Sequence, residues 1–194
     1  MGVVDVRVAP AELEARIAEI GADLSRLYAG HDPLLITVLT GGSVFLADLV
    51  RAVTIRCTVD FLALGRYPGS GRKYVQKDLD VDIAGRHVVV VEDIVDTGLT
   101  LAYLLQVLAA RQPASLRVCT LLDRAVRRIA DLPLDWVGFE VGDEFLVGYG
   151  LDLDGRLRHV PAVLATHDPS ALREDPEGTV RRALEAHVRG PDSG

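Results

Sequence analysis

The stretch that most constrains the fold of this chain is residues 88–100, Val-Val-Val-Val-Glu-Asp-Ile-Val-Asp-Thr-Gly-Leu-Thr. Its four consecutive valines predict a strand that is buried on both faces, as a central strand of a parallel sheet is. Two carboxylates, Glu92 and Asp93, follow where that strand is expected to end. Open α/β sheets bind their ligands at this end of the strands. The stretch therefore predicts a central strand with an acidic binding edge.

A tight turn and a helix are expected directly after the acidic pair. Asp96, Thr97 and Gly98 have the composition of a turn, and recurring leucines predict a helix over 99–110. The N-terminus of such a helix presents free backbone N–H groups that bind anions. Three carboxylates within five residues would repel a bare phosphate, but they suit a ligand that also carries hydroxyls, or a hard cation such as Mg²⁺. An ordinary strand–helix turn capped by Thr97, with solvated acids, is the plainer alternative.

Composition narrows the class of protein. A chain of 194 residues is long enough for one domain with a substantial core. Its net charge of −7 argues against nucleic acid or an anionic membrane as the main partner. Cys57 and Cys119 lie in apolar runs, which indicates small buried hydrophobes rather than a disulfide framework or a zinc site. The sequence shows no leader and no run long enough to span a bilayer, so we expect a soluble cytoplasmic protein.

Strands and helices alternate along most of the chain. This alternation predicts an α/β fold with a parallel sheet and helices on both faces. In chain order the expected elements are a helix from Pro10, a strand at 34–39, a helix at 44–53, one or two strands within 54–64, the central strand, the helix at 99–110 and a strand at 115–122. The segment 40–43, Thr-Gly-Gly-Ser, is a second glycine turn between a strand and a helix, and it too suits an anion.

Residues 92–100 resemble the phosphoribosyl-diphosphate motif of the type I phosphoribosyltransferases, in the form of the hypoxanthine–guanine branch. The resemblance extends from about residue 16 to 161. It implies the type I phosphoribosyltransferase fold with a small hood subdomain. It also implies transfer of a phosphoribosyl group from 5-phosphoribosyl 1-diphosphate to a 6-oxopurine, hypoxanthine or guanine, in purine salvage, with pyrophosphate as the second product. Mg²⁺ and a homo-oligomer, a dimer or a tetramer, are implied as well.

The resemblance also divides the chain. It implies one phosphoribosyltransferase domain over 1–165, whose hood comprises about 124–165 with part of the N-terminal segment. Strand-like runs at 136–140 and 145–152 are assigned to that hood. Residues 65–72 are expected to form a flexible loop that closes over the ligands, with a return strand at 77–80. We expect 166–194 to be a polar tail with one short helix near 179–188.

Site residues follow from the same motifs. Asp96 is implied as the general acid/base at the purine N7, and Phe145 as the side chain that stacks on the base. The implied metal ligands are Glu92, Asp93 and Asp152. The implied phosphoribosyl diphosphate-binding residues are Thr40, Gly41, Tyr67, Glu92, Asp93, Asp96, Thr97, Gly98, Leu99, Thr100 and Arg158. The implied base-binding residues are Ile94, Arg124, Phe145, Leu146 and Asp152.

Three positions and the length of one loop depart from the pattern of the branch. Thr40 stands where a lysine or arginine is usual, Arg66 replaces the serine of a Ser-Tyr pair in the flexible loop, and that loop is short. Arg124 replaces the lysine that donates to the purine O6, and its planar guanidinium is not equivalent to an ammonium. Two alternatives therefore remain beside purine salvage: the same fold retuned to another purine-like base, or a non-catalytic regulator that binds the diphosphate.

Overall fold

The structure, a computed structural model, describes residues 3–67, 69 and 73–189. The chain divides into two compact units, a large one of residues 16–142 and a small one of residues 1–15 with 143–194. Part of the expected flexible loop, Pro68 and 70–72, and the end of the expected tail, 190–194, lie outside the described residues.

The strands and helices alternate as the sequence predicts. They are β1 (Asp5–Val8), α1 (Pro10–Leu27), β2 (Leu34–Val38), α2 (Gly42–Ala52), β3 (Thr58–Arg66), β4 (Lys73–Lys77), β5 (His87–Val95), α3 (Leu99–Ala109), β6 (Ser115–Asp123), β7 (Trp136–Glu140), β8 (Phe145–Val147), β9 (Val163–Thr166), α4 (Pro169–Glu174) and α5 (Pro176–Arg189), with a short 3₁₀ turn at Ala125–Arg127 between β6 and β7.

The large unit is built on a six-stranded sheet in the order β4-β3-β2-β5-β6-β7. All neighbouring strands run parallel except β4, which pairs antiparallel with β3. The valine strand β5 lies in the middle, with Val88 paired to Leu34 of β2 and to Leu116 of β6. The predicted α/β class and the central position of the valine strand are confirmed.

Both faces of β5 are covered. Val88 and Val90 belong to a core cluster that also contains Leu101 and Leu104 of α3. Because successive side chains of a strand point to opposite faces, Val89 and Val91 face the other side of the sheet, and all four valines are completely buried. Burying each such side chain stabilises the fold by about 1.5–3 kcal/mol before the cost of ordering the chain.

Two expected strands belong elsewhere. The run 136–140, assigned to the hood, is β7, which pairs parallel with β6 in the large sheet. The expected return strand at 77–80 is found instead at Lys73–Lys77. The physical reason is the buried carboxylate of Asp60, which accepts hydrogen bonds from the backbone N–H groups of Asp80 and Val81, at 2.7 and 3.1 Å. That segment is therefore held by a side chain rather than by a sheet ladder.

The small unit contains a three-stranded antiparallel sheet in the order β1-β9-β8. Where the sequence indicated a tail with one short helix, the structure has two helices, α4 and α5. Leu172 of α4 and Val180 of α5 are buried in the core cluster of this unit. Both helices begin with proline after an aspartate, a common helix start that the polar composition of the segment obscured. The Asp168 carboxylate accepts from the Ala171 N–H at 2.9 Å and caps α4.

Both cysteines are free thiols. Cys119 is buried in β6 and Cys57 is half-buried, and burial raises the pKa of each thiol. Within the described part of the chain, none of the helices has the length and apolar character needed to cross a membrane.

Candidate active site

The acidic pair lies within the last part of β5, because the strand continues past the valines to Val95. Glu92 pairs with Thr120 of β6, and both Glu92 and Asp93 are half-buried. The Asp93 carboxylate accepts from the Ile94 N–H at 2.8 Å. The strand thus carries two carboxylates to the carboxyl edge of the sheet, where α/β folds bind ligands.

The turn after β5 depends on a glycine. Gly98 has φ of +80°, in the left-handed region, and it is Gly98 rather than Thr97 that caps α3. A Cβ on Gly98 would lie 2.9 Å from Cδ of Arg128 and 3.3 Å from the Ala130 carbonyl oxygen. The turn is fixed by its neighbours as well, since the Thr97 carbonyl accepts from the N–H groups of Ile129 and Ala130, at 2.9 and 3.1 Å. We call residues 96–100 the acidic loop.

A cavity of about 170 Å³ opens at the acidic loop. Six residues that the sequence assigned to the site line it together. The lining is Glu92, Ile94, Val95, Asp96, Thr97, Gly98, Thr100 and Leu101. Leu99 is not among these residues, and its side chain is 55 % exposed.

Two arginines approach Asp96. The Asp96 Oδ1 atom lies 3.6 Å from a terminal nitrogen of Arg124 and 3.4 Å from Nε of Arg127. Arg124 is buried, its backbone N–H donates to the Val95 carbonyl at 3.0 Å, and its Nε donates to the Gly142 carbonyl at 3.1 Å. Arg124 therefore faces the predicted acid/base residue. The sequence interpretation missed Arg127, which is visible there only as one of several arginines after β6.

The second glycine turn, residues 40–43, connects β2 to α2, and we call it the glycine loop. The peptide bond between Leu39 and Thr40 is cis. Ser43 closes the turn, since its hydroxyl donates to the Thr40 carbonyl at 2.7 Å and its N–H donates to the same oxygen at 3.2 Å. Gly42 is buried, and a Cβ there would lie only 2.1 Å from Oγ1 of Thr37. Thr40 is exposed, so this loop presents its first residue to solvent.

Tyr67 of the expected flexible loop is 54 % exposed, and its ring packs 4.6 Å from the ring of Tyr74. The contact places Tyr67 beside the hairpin of β3 and β4.

The small unit carries the remaining predicted residues. Phe145 opens β8 and is 38 % exposed, whereas Leu146 is buried and pairs with Ala165 of β9. Asp152 and Arg158 form an ion pair at 2.7 Å, in a turn where the Asp152 carboxylate also accepts from the Gly155 N–H at 2.7 Å. Within this unit the aromatic side chain is accessible, and Arg158 is paired with the predicted metal ligand.

The predicted metal ligands are divided between the two units. Within residues 3–67, 69 and 73–189, no group of three or more His, Cys, Asp or Glu side chains could hold a metal ion by itself. Glu92 and Asp93 are adjacent in the large unit, and Asp152 belongs to the small unit. Mg²⁺ prefers hard oxygen ligands and is commonly held by one or two carboxylates together with substrate phosphates. The donor set fits Mg²⁺ bound in that way.

Comparison with known proteins identifies relatives over most of the chain. Residues 9–154 match the model of the phosphoribosyl transferase domain. The chain is 44 % identical to the hypoxanthine phosphoribosyltransferase of Salmonella typhimurium, over 82 % of this chain and 93 % of the relative. The crystal structure of a hypoxanthine-guanine phosphoribosyltransferase from Bacillus anthracis is similar, with a TM-score of 0.79, 38 % identity, and coverage of 84 % of this chain and 97 % of that one. For the hypoxanthine phosphoribosyl transferase of Trypanosoma cruzi, whose structure addressed the role of its C-terminal region in oligomeric state and enzymatic activity, the TM-score is 0.82 at 31 % identity, with coverage of 89 % and 95 %.

Proposed function

We propose an activity for this chain from one premise: it belongs to the phosphoribosyl transferase domain family. It is a transferase of purine salvage that moves the phosphoribosyl group of 5-phosphoribosyl 1-diphosphate to a 6-oxopurine base, hypoxanthine or guanine. The products are the nucleoside monophosphate and pyrophosphate. The observation that carries this assignment is the cavity at the acidic loop, which Glu92 of β5 lines together with Asp96, Thr97, Gly98 and Thr100. Relatives with hypoxanthine among their named substrates support the choice of base.

The acidic loop suits the 5′-phosphate and the ribose. In the proposal, backbone N–H groups over 96–100 and the hydroxyls of Thr97 and Thr100 bind the 5′-phosphate, as a helix N-terminus binds anions. Glu92 and Asp93 accept from the ribose hydroxyls. Gly98 and Leu99 contribute backbone alone. The braced turn supports this role, because a preorganised site loses little entropy when the ligand binds.

The glycine loop and the small unit supply the remaining proposed contacts. Thr40 and Gly41 bind pyrophosphate through their backbone, Tyr67 closes over the ligand, and Arg158 adds a cation for the pyrophosphate. Phe145 stacks on the purine, while the Leu146 backbone reads its edge. Support comes from the exposure of Phe145 and from the accessible position of Thr40.

Asp96 is the proposed general acid/base. As N9 of the purine attacks C1′ and pyrophosphate leaves with the electrons of the broken C1′–O bond, the Asp96 carboxylate accepts the proton that N7 of the base loses, while Ile94 borders the base. A positioned carboxylate of this kind contributes about 10²–10⁴ in rate. Arg124 donates to the O6 atom of the base, and its buried position beside Asp96 supports that contact.

Mg²⁺ is the proposed cofactor. Glu92 and Asp93 would hold one ion, and Asp152 would hold a second, together with phosphates of the substrate. Bound there, Mg²⁺ would supply positive charge to offset the negative charge of the leaving pyrophosphate. The hard-oxygen donors of all three side chains support this choice.

The proposal extends to organisation. The family match over residues 9–154 supports a single phosphoribosyltransferase domain over 1–165. Its hood comprises the part of 124–165 outside β7, with part of the N-terminal segment. We propose a cytoplasmic homo-oligomer, a dimer or a tetramer. The Trypanosoma cruzi relative, whose C-terminal region bears on oligomeric state, supports the oligomer, since α5 gives this chain an ordered C-terminal helix.

The test is nucleotide formation from 5-phosphoribosyl 1-diphosphate and Mg²⁺ with hypoxanthine, guanine, xanthine and adenine in parallel. We expect turnover with hypoxanthine and guanine that is abolished by excess chelator and restored by added Mg²⁺. Diphosphate binding without turnover on any base would identify a regulator instead. Turnover undiminished in chelator would contradict the metal assignment.

A further inference from the structure

Arg127 makes a contact in the site that no motif assigned. Its Nε lies 3.4 Å from Asp96 Oδ1, the same oxygen that Arg124 approaches at 3.6 Å. Both guanidiniums therefore meet one oxygen of the carboxylate, from the end of β6 and from the 3₁₀ turn that follows it. We propose that Arg127 is a positioning residue that holds Asp96 Oδ1 and thereby leaves Oδ2 as the oxygen that exchanges a proton with the purine base.

The two oxygens of Asp96 have different surroundings. Oδ1 is inaccessible to solvent and has no hydrogen-bond partner of good geometry among the described residues, so electrostatic attraction to the two arginines holds it. The side chain as a whole is 40 % exposed, so its accessible area belongs to the other atoms. Since Asp96 also lines the cavity of the acidic loop, Oδ2 is the oxygen left to reach a ligand there.

The segment that carries Arg127 is fixed at both ends. The Arg127 N–H donates to the Arg124 carbonyl at 3.1 Å, and the Arg128 N–H donates to the Ala125 carbonyl at 3.1 Å. The Arg128 side chain forms an ion pair with Asp123. The braced backbone of this turn limits the positions that the Arg127 guanidinium can reach, and its planar fork is suited to hold a carboxylate. Arg124 and Arg127 thus both approach Asp96, and Arg128 in the same segment pairs with Asp123.

The inference rests on the proposed function, and its test separates the two. The activity of the parent protein is measured first, and a parent without turnover on any base contradicts the proposed function. With an active parent, Arg127→Gln is expected to lower kcat roughly tenfold, a fraction of the general acid/base contribution. KM for the diphosphate should stay within about twofold, because Arg127 acts through Asp96 and not on the phosphates. Arg127→Lys should recover most of kcat, since it restores a cation near Oδ1.

The matched control is Arg117→Gln. Arg117 is 42 % exposed against 47 % for Arg127, and it also pairs with an aspartate of the large unit, Asp135, at 2.6 Å. We expect its removal to leave kcat within about twofold of the parent. Circular dichroism and Tm of each variant identify any loss of fold. If Arg127→Gln does not fold, Arg127→Lys is compared with the parent instead.

The decisive step is a double-mutant cycle. In an Asp96→Asn background, Arg127→Gln should cause no further loss of kcat, because the group that it positions is gone. A loss of the same size in both backgrounds would overturn the inference, as would a rise in KM for the diphosphate at unchanged kcat. Either result would assign Arg127 to the substrate rather than to Asp96.

Discussion

The acidic loop and the glycine loop are both glycine turns between a parallel strand and a helix, yet they are held differently. The acidic loop is braced from outside, since Thr97 accepts two backbone hydrogen bonds from 129–130 and Gly98 packs against Arg128. The glycine loop is closed from within by Ser43 and lies above the buried Thr37 hydroxyl. The difference indicates that the acidic loop, the proposed phosphate and ribose site, is preformed. The shape of the glycine loop, the proposed pyrophosphate site, depends on one close contact with Thr37.

Gly98→Ala should break the acidic loop. A residue other than glycine loses about 1–2 kcal/mol in the left-handed region, and the overlap with Arg128 and Ala130 adds about 1–3 kcal/mol. We expect the free energy of unfolding to fall by about 2–5 kcal/mol in urea titration, and diphosphate affinity to fall with it.

Gly85→Ala is the control for that change. Gly85 also has positive φ, at +69°, but a Cβ there would have nothing within 4 Å. The free energy of unfolding of Gly85→Ala should fall only by the cost of the left-handed backbone, about 1–2 kcal/mol. Equal losses in the two variants would show that the packing around Gly98 does not brace the loop.

Gly42→Ala should break the glycine loop by a different route. The new Cβ would lie 2.1 Å from Oγ1 of Thr37, and overpacking of this kind costs about 1–3 kcal/mol. Adding Thr37→Ala removes the hydroxyl that the new Cβ would meet, so the Tm of the double variant should exceed that of Gly42→Ala. The Tm of Thr37→Ala alone is measured as well, so that the effect of that substitution by itself can be subtracted. If the double variant is no more stable than Gly42→Ala, the close contact does not shape this loop.

Arg124→Met tests whether the arginine beside the acidic loop selects the base. A guanidinium only donates hydrogen bonds, so it suits the 6-oxo group of hypoxanthine and opposes the 6-amino group of adenine. Such a mismatch costs about 1–3 kcal/mol. The ratio of kcat/KM for hypoxanthine to that for adenine should therefore fall roughly tenfold in Arg124→Met and persist in Arg124→Lys. A ratio that is the same in the parent and in Arg124→Met would remove Arg124 from base recognition.

Arg111→Gln should have the smallest effect on the free energy of unfolding. It measures the contribution of an ion pair that lies outside both loops. Arg111 lies 2.9 Å from the exposed Asp78, and its hydrogen bond lowers the pKa of that carboxyl. A lowered pKa stabilises the fold above the unfolded pKa of about 3.9, and this contribution is lost as pH falls through the folded pKa. Because the pair is exposed, removal should cost no more than about 1 kcal/mol at pH 7. The difference from the parent should vanish near pH 2, by urea titration at both pH values.

The central strand, the helix after it and the turn between them could be predicted because their patterns are local. The four valines, the acidic pair and the glycine turn follow one another within residues 88–98, so each predicts where the next element begins. The contact of Arg127 with Asp96 could not be predicted, since it joins residues that only the pairing of β5 with β6 brings together. The helices over 169–189 were obscured because charged residues are frequent in them, while few large apolar side chains, among them Leu172 and Val180, mark the buried side.

The most direct test of the central claim, that the acidic loop catalyses phosphoribosyl transfer through Asp96, is the Asp96→Asn variant. Asparagine keeps the size of the side chain but cannot exchange the proton. We predict that kcat with hypoxanthine falls roughly a hundredfold or more, while the Kd for 5-phosphoribosyl 1-diphosphate with Mg²⁺ stays within about twofold of the parent. An unchanged kcat in this variant would contradict the claim.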